Sequence, residues 1–571
     1  MNKQSLYNTP QAKKSGNRDI LVVLSIVLGI FLVGCCGMVA VLYWALSDGE
    51  NGGEATASPV SLTEATLRIA YSPEKEALFT ALVDEFNAQD FETPDGEKMN
   101  VEVVQLDPEA MIERALSGDL QAISPDSSLW LYQLDSAWME ERGTDLPLVG
   151  ETVRYAVSPV VIAMWEDVAR SMGYPDQPLG WQDLLNKAQS DPGFKWSHPS
   201  TSSASGLLAT LAEFYAGAGA TRGLTLEDAQ RQSTLDYVAA IEKTVRYYGE
   251  GEWAVVQRVL QEGRSYLDAF VCQEQLIVYL NQNQRDRIVA IYPQEGALWE
   301  DHPLTLLETP GLTTNQRLTF SRFRDFLLSN ESQARVLAAG YRPADLNISL
   351  TDAASPLTAA NGVDPAQPQT SLQLPSAAVV DVVRNVWWYT KRHTNVYLVV
   401  DVSGSMRGEK IQNTQIALST FVEQVQGDME RVGLIEFSSE VRETVPMDEL
   451  GHNRAKLTGT IDNLDVGGDT ALLDAVDLAY QLLRERADTE RINAIVVMTD
   501  GLENYSEISL GELLRELKDQ DDVPVIVFCI GYGKDADRRT LQRIAESTGG
   551  QLREGDLETI RELYKILSTY F

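Results

Sequence analysis

The sequence predicts an α/β protein in which two successive layered domains follow an N-terminal transmembrane helix. Three observations predict this. An uncharged run extends from Ile20 to Leu46. From Thr66 onward, short apolar strands alternate with amphipathic helices, the grammar of α/β layers with a mostly parallel sheet. After a stretch rich in Ala, Pro, Thr and Gln at residues 345–375, the alternation restarts at Asn395 and runs to the end of the chain.

Composition bounds the function classes. The 571 residues correspond to about three to four domains' worth of chain. A 44% hydrophobic and 23% charged content is ordinary for globular protein. Asp and Glu total 83 against 47 Lys and Arg, a formal charge of −36. Such a surface repels phosphate backbones and excludes nucleic acid as a partner. The histidines His198, His302, His393 and His452 form no HExxH or His-x-His pair, so a zinc hydrolase is not encoded locally, although a fold could bring two of them together. Cys35, Cys36, Cys272 and Cys529 form no CxxC pair and read as small buried hydrophobes. GxSxG and Cys–His signatures are missing too, which argues against an enzyme.

Residues 20–46 would make a helix of about 40 Å, longer than the roughly 30 Å hydrocarbon layer. Tyr43 and Trp44 stand near its far end, where amphipathic rings favour the interface. Residues 1–19 carry Lys3, Lys13, Lys14 and Arg18 against Asp19 alone, which predicts a cytoplasmic N-terminus and an extracytoplasmic bulk. Alternatively, Leu32-Val33-Gly34-Cys35 resembles a bacterial lipobox, in which Cys35 would carry the lipid. Either route tethers the chain outside the cell membrane. Residues 47–63 are polar and Gly-rich, a flexible stalk.

The first domain is expected over 64–345. Leu67, Ile69 and Tyr71 alternate as a strand, and Ala77, Leu78, Ala81, Leu82 and Phe86 recur at helical spacing. Val101 to Leu106 is the next strand, and Pro108 to Leu116 a helix with Pro at its start. Residues 346–392 read as a linker or extended crossover, with Ala377 to Thr390 as a helix that packs back on the first domain.

The last domain, 393–571, carries the sharpest motif. The apolar strand from Asn395 to Val400 ends in Asp401-Val402-Ser403-Gly404-Ser405, so three oxygen side chains stand at positions i, i+2 and i+4 of a loop at a strand's C-terminal end. Open α/β sheets place ligands there. One carboxylate with two hydroxyls is a hard oxygen set suited to Mg²⁺. Thr470, in Gly467-Gly468-Asp469-Thr470, and Asp500, after the strand Ile495 to Thr499, fall where they could reach the same rim. DVSGS at 401–405, GGDT at 467–470 and MTDG at 498–501 together resemble the metal-ion-dependent adhesion site of the von Willebrand factor A domain family. The resemblance implies a doubly wound fold. It also implies that Asp401, Ser403, Ser405, Thr470 and Asp500 hold Mg²⁺, or Mn²⁺ or Ca²⁺, and that a protein partner completes the ion's shell with a carboxylate.

The first domain resembles two-lobed extracytoplasmic solute-binding proteins of the type 2 periplasmic fold. The resemblance rests on Ser72-Pro73-Glu74, Ile123 to Ser128, Val157-Ser158-Pro159, Phe194 to Tyr215 and Gly340-Tyr341-Arg342-Pro343. It implies a ligand between the lobes, touched by Ser72, Ser124, Ser128, Ser158, Ser202, Ser203 and Tyr292. Hydroxyls and helix N-termini would suit a small oxyanion. Trp130, Tyr132, Trp138, Trp165 and Trp181 would suit a sugar, unless they are core. The expected function is a membrane-anchored binding protein that captures a protein partner through the metal site, modulated by a small ligand. The alternative is a solute receptor for an importer, with the A domain docking it to its partner.

Overall fold

The computed structural model describes residues 64–249, 251–425, 427–486, 488–518 and 523–556. The expected membrane segment 20–46, with Cys35, and the stalk lie outside the described residues. Among the described residues no helix is long and apolar enough to cross a membrane.

The chain builds the first lobe on β1 (Thr66–Tyr71), which pairs in parallel with β2 (Asn100–Gln105) and β3 (Ala122–Ser124). After β4 (Val149–Arg154) it crosses into a second sheet as the long β5 (Ala156–Trp165). The second sheet gains β6 (Trp196–Ser197), β7 (Ala269–Gln273), β8 (Ile288–Ile291) and β9 (Trp299–Glu300). Next β10 (Pro303–Leu307) returns to the first sheet, and β11 (Arg342–Pro343) pairs with the start of β5. The sheet orders are β2-β1-β3-β10-β4 and β11-β5-β7-β6, with β8 and β9 also on β5.

A mostly parallel sheet is not what the second lobe shows: β5 runs antiparallel to β7, β8, β9 and β11. In the first lobe, β10 runs antiparallel to β3 and β4 because it re-enters from the other lobe. A strand buried on both faces has the same apolar signature in either direction, so periodicity did not carry this difference.

Local chemistry fixes the helices. Glu76–Asn87 buries Leu78, Phe79, Leu82, Val83 and Phe86, a stripe at helical spacing. Thr313 and Gln316 form a reciprocal capping box, with N–H to oxygen distances of 3.0 Å each way. Residues 345–375 are a strap on the second lobe: Leu357, Val363 and Leu372 are buried, and Leu372 and Ala297 are tied by backbone hydrogen bonds around 371. The helix Ala377–Thr390 buries Val379, Val380, Val383 and Trp387 against the helices Ala204–Ala218, Leu226–Gln230 and Gln232–Glu242.

The last domain is a sheet of order β14-β13-β12-β15-β16-β17. Its strands are β12 (Thr394–Asp401), β13 (Arg431–Phe437), β14 (Val441–Glu449), β15 (Ile492–Thr499), β16 (Val525–Tyr532) and β17 (Leu552–Gly555). Only the hairpin strand β14 is antiparallel to its neighbour. Alternate side chains of β12 serve opposite faces. Val396, Leu398 and Val400 pack with Leu418, Phe421 and Leu457, whereas Tyr397 and Val399 pack with Val476, Leu483 and Leu513. The sheet is therefore covered by helices on both sides, the doubly wound arrangement.

Arg392 rivets the domains together. Its guanidinium donates to Val245 O in the second lobe (2.8 Å) and to Thr489 O (2.9 Å) and Glu490 O (3.2 Å) in the last domain. Burial, reinforced by Arg246, pulls its pKa down to about 10. Hydrogen bonds from a charged donor are worth about 1.5–3 kcal/mol when their loss orphans buried carbonyls. Arg392→Ala is expected to destabilise the chain on that scale. Hydrogen exchange should rise together around 245–248 and 489–491, and exchange confined to one of these segments would contradict the rivet.

Candidate functional site

The five oxygen side chains implied as metal ligands come from three loops at the C-terminal rim of the last sheet. Asp401 closes β12, Asp500 follows β15, and the 467–470 loop precedes the helix Leu472–Arg486. Asp401 and Asp500 are both fully buried. Asp401 Oδ1 accepts from the Ser403 N–H at 2.7 Å, and its Oδ2 accepts from the Thr499 hydroxyl. Ser403 and Ser405 hydroxyls lie 2.9 Å apart, and Ser405 donates to Asp500 Oδ1 at 2.7 Å. Thr470 reaches the same place: a Cβ on Gly501 would lie 3.3 Å from Thr470 Oγ1 and 3.7 Å from Ser405 Oγ. Glycine at 501 therefore keeps open the space between those hydroxyls. Gly404 N–H to Gly468 O (3.0 Å) and Gly467 N–H to Val402 O (2.8 Å) lock the first two loops together.

This donor set fits a hard divalent cation: two buried carboxylates face three hydroxyls with no soft ligand among them. Burial raises the Asp401 pKa, opposed by the hydrogen bonds from Thr499 and Ser403. Three residues outside the implied ligand set complete the rim. Lys410 places its ammonium on Asp500 Oδ2. Thr499 bridges Asp401 to the Gly501 N–H, which it accepts at 3.1 Å. Asn504 clamps Thr470 from both sides, through its side chain (2.9 Å) and its own N–H (3.2 Å). The signal for Thr499 was its place within MTDG directly before Asp500, and for Asn504 its position shortly after that loop. Lys410 stood in the first turn of the helix after DVSGS, where a basic residue is out of place against the helix dipole.

In the first domain, the implied ligand positions divide. Ser72, Ser124 and Ser158 are buried where the lobes meet. Ser72 Oγ has no hydrogen-bond partner there, Ser124 bonds Tyr155 OH at 3.0 Å, and Ser158 bonds Gln275. Ser128 is held by Asp301 through its N–H (2.8 Å). Ser203 caps the helix Ala204–Ala218 through the Gly206 N–H (3.1 Å), and Ser202 pairs with Ser200, so both serve local loop structure. Tyr292 points elsewhere: it donates to Glu274 and lines a separate cavity of about 400 Å³ with Tyr174, Leu179 and Gln367. Trp130, Trp165 and Trp181 are core, and Tyr132 is exposed outside the lobe junction.

What the two lobes enclose is acidic. Lys75 and Asp126 from the first lobe, and Glu252, Glu300 and His302 from the second lobe and the return strand, are buried, and the Glu74 side chain is only 5% exposed. Lys75 Nζ donates to Pro125 O (2.7 Å) and Ser124 O (3.1 Å) and lies 3.8 Å from Glu74. Gln273 joins Glu252 (2.8 Å to its N–H) to His302 (2.7 Å). Glu74 Oε1, both Glu300 oxygens and His302 Nδ1 have no hydrogen-bond partner among the described residues. Burial pushes Glu74 up to about 8 and Asp126 up to about 6, with Lys75 opposing both. Four carboxyls around one ammonium disfavour the small oxyanion that the serine pattern suggested.

Residues 67–342 match the family described as bacterial extracellular solute-binding protein, and residues 395–565 match the von Willebrand factor type A domain. The chain joins a solute-binding domain to a von Willebrand factor A domain. Both families are binding modules rather than enzymes. The chain is 30% identical over 165 residues to inter-alpha-trypsin inhibitor heavy chain H4 of Sus scrofa, a match to 28% of this chain and 18% of that protein. The chain thus spans less than a fifth of that relative's length. Among solved structures, the sulfate-binding protein SubI from Mycobacterium tuberculosis aligns at 17% identity and a TM-score of 0.36, over 50% of this chain and 88% of that one. A von Willebrand factor type A protein from Catenulispora acidiphila aligns at 19% identity and a TM-score of 0.28, over 31% of this chain and 43% of that one.

The interlobe layer of the solute-binding domain predicts an unusual pH dependence. Carboxyls whose folded pKa is raised bind more protons in the folded than in the unfolded state, so stability falls as pH rises. The contribution is complete below the ordinary carboxyl range and is lost through about 6 for Asp126 and about 8 for Glu74; Glu252 and Glu300 shift the same way. Lys75, lowered by burial, acts with the opposite sign at the alkaline end, below 10.5. Unfolding in urea at pH 5 to 8 without divalent ions should lose about 1.4 kcal/mol per pH unit for each proton so released. A flat or rising profile would show that these carboxyls are ionised in the fold.

Proposed function

We propose that this protein is an extracytoplasmic binding protein whose A domain captures a protein partner through a divalent ion. One observation carries the reading: Asp401, Ser403, Ser405, Thr470 and Asp500 converge at one sheet rim, with their carboxylates buried and their hydroxyls turned on one another. The chain's own residues prepare the site. The Ser403 N–H and Thr499 fix Asp401, Asp500 orients Ser405, and Asn504 holds Thr470 in register. Lys410 supplies a counter-charge to Asp500 that holds the rim together. A bound Mg²⁺ would offer an open coordination position to a carboxylate of the partner. The uncharged run 20–46 behind a basic N-terminus supports a single-pass anchor with the binding domains outside the membrane.

A second reading is a solute receptor for an importer, with the A domain docking it to its partner. The orphaned atoms of Ser72, Glu74, Glu300 and His302 between the lobes favour it, and their chemistry suits a cationic solute. Native mass spectrometry of the full chain would reveal a retained small molecule under this reading. It would show none if the lobes act as a scaffold.

Asp401→Ala should lower Mg²⁺ affinity by at least about 100-fold, more than typical outer-shell losses. Calorimetric titration of the full chain with Mg²⁺ measures this, with circular dichroism expected to stay unchanged because the loop lies at the sheet rim. Undiminished Mg²⁺ binding by the folded variant would refute the site.

A further inference from the structure

We propose that His198, Glu213 and Glu242 form a second divalent-metal site, structural and suited to Zn²⁺, in the second lobe beneath the helix that leads to the A domain. Each offers one ligand atom, and these atoms lie within 4.8 Å of one another with all three side chains fully buried. The two residues on helices come from Ala204–Ala218 and Gln232–Glu242, and His198 follows the short strand β6.

The histidine is prepared for a ligand role. Its Nδ1 lies 2.7 Å from the Pro199 carbonyl, which can only accept, so the proton sits on Nδ1 and the Nε2 lone pair faces Glu242 Oε2 at 3.3 Å. Glu242 is held by Tyr248 OH on Oε2 (2.6 Å) and by Trp387 Nε1 on Oε1 (2.7 Å). These are the outer partners that orient a metal-binding carboxylate. The second observation is Glu213, fully buried, with neither carboxylate oxygen hydrogen-bonded among the described residues. Burial, then the charge of Glu242, holds its pKa well above the usual carboxyl range. A buried carboxyl in that position needs either a proton or a cation. A neutral imidazole with two carboxylates balances the charge of one divalent ion, and the mix of nitrogen and oxygen favours Zn²⁺ over Mg²⁺. Trp387 belongs to the covering helix, and Tyr248 OH also accepts the Arg392 N–H at 2.8 Å, so an ion here would brace the segment that carries the A domain. This site is independent of the rim at Asp401.

The test uses the full chain carrying Asp401→Ala, which disables the rim, produced with Zn²⁺ in the medium and dialysed. Elemental analysis is expected to find near-stoichiometric Zn²⁺, lost on adding Glu213→Gln. Cobalt loading should give visible absorption that the same substitution abolishes. Zn²⁺ should raise the melting temperature of the Asp401→Ala chain but not of the double variant. No bound Zn²⁺ and no Co²⁺ absorption in the folded Asp401→Ala chain would overturn the proposal. So would a double variant that, with Zn²⁺ present, melts at or above the temperature of the Asp401→Ala chain, since glutamine then merely replaces a protonated carboxyl. If the double variant does not fold, the metal content and Co²⁺ spectrum of the Asp401→Ala chain alone decide the matter.

Discussion

Between Trp387 and Thr394 the chain leaves a buried helix and enters the central strand of another domain, and its polar groups must be satisfied from both sides at once. Trp387 donates into the second lobe at Glu242, and Arg392 donates to carbonyls of both domains. Lys391 and His393 each lie 3.0 Å from the same Glu430 oxygen, while Thr394 N–H takes the other at 2.6 Å. Glu430 is buried, and with Lys391 and His393 beside it its pKa is lowered despite the cost of burial. Breaking one partner of such a network leaves a buried charge uncompensated, typically at about 3–5 kcal/mol. The apolar core follows the same path: one contiguous cluster runs from Leu208 and Phe214 through Val383 and Trp387 to Leu398 and Phe421. The junction is core, not tether.

The two binding centres resolve the cost of buried carboxylates in different ways. At the rim, parallel strands end together, and Asp401 and Asp500 emerge side by side from β12 and β15 with hydroxyls and an ammonium at hand. A site of this kind gains from added positive charge. Between the lobes the acids outnumber their cation, and the two Glu300 oxygens, which have no hydrogen-bond partner among the described residues, mark where the balance fails. Burial raises the pKa of the interlobe carboxyls, so the same residue type faces hydroxyls and an ammonium in one domain and competes for a single cation in the other.

How much of this was legible in the sequence depended on how local each pattern is. The DVSGS loop and the strand before it lie within one short segment, so a continuous apolar run and i, i+2, i+4 spacing placed Asp401, Ser403 and Ser405 at a strand end, where they are. Thr470 and Asp500 each sit directly beside a recognisable strand or helix start. The interlobe layer was not legible, because Glu74, Asp126, Glu252 and Glu300 come from separate segments whose acids read individually as helix-start or turn residues. The serine pattern misled for the same reason: Ser202 and Ser203 do what serines commonly do at a helix start, whereas Ser124 and Ser158 bond Tyr155 and Gln275. The strap at 345–375 has too few apolar residues to show a period, yet Leu357, Val363 and Leu372 suffice to hold it down.

The strand β12 ties these parts into one mechanical element. Its first residue rests on Glu430 beside the junction, and its last is Asp401, about 23 Å away at 3.3 Å per residue. It is the third strand of the sheet, paired in parallel on one side with β13 and on the other with β15 along nearly its whole length. A partner held at the rim would pull along this strand, loading both ladders in shear, where all their hydrogen bonds share the force. The load would arrive at Arg392, which is bonded to the second lobe as well as to the 489–490 turn. Force applied at the Asp401 rim would therefore be passed to the first domain through a central strand and a buried junction rather than through a flexible linker.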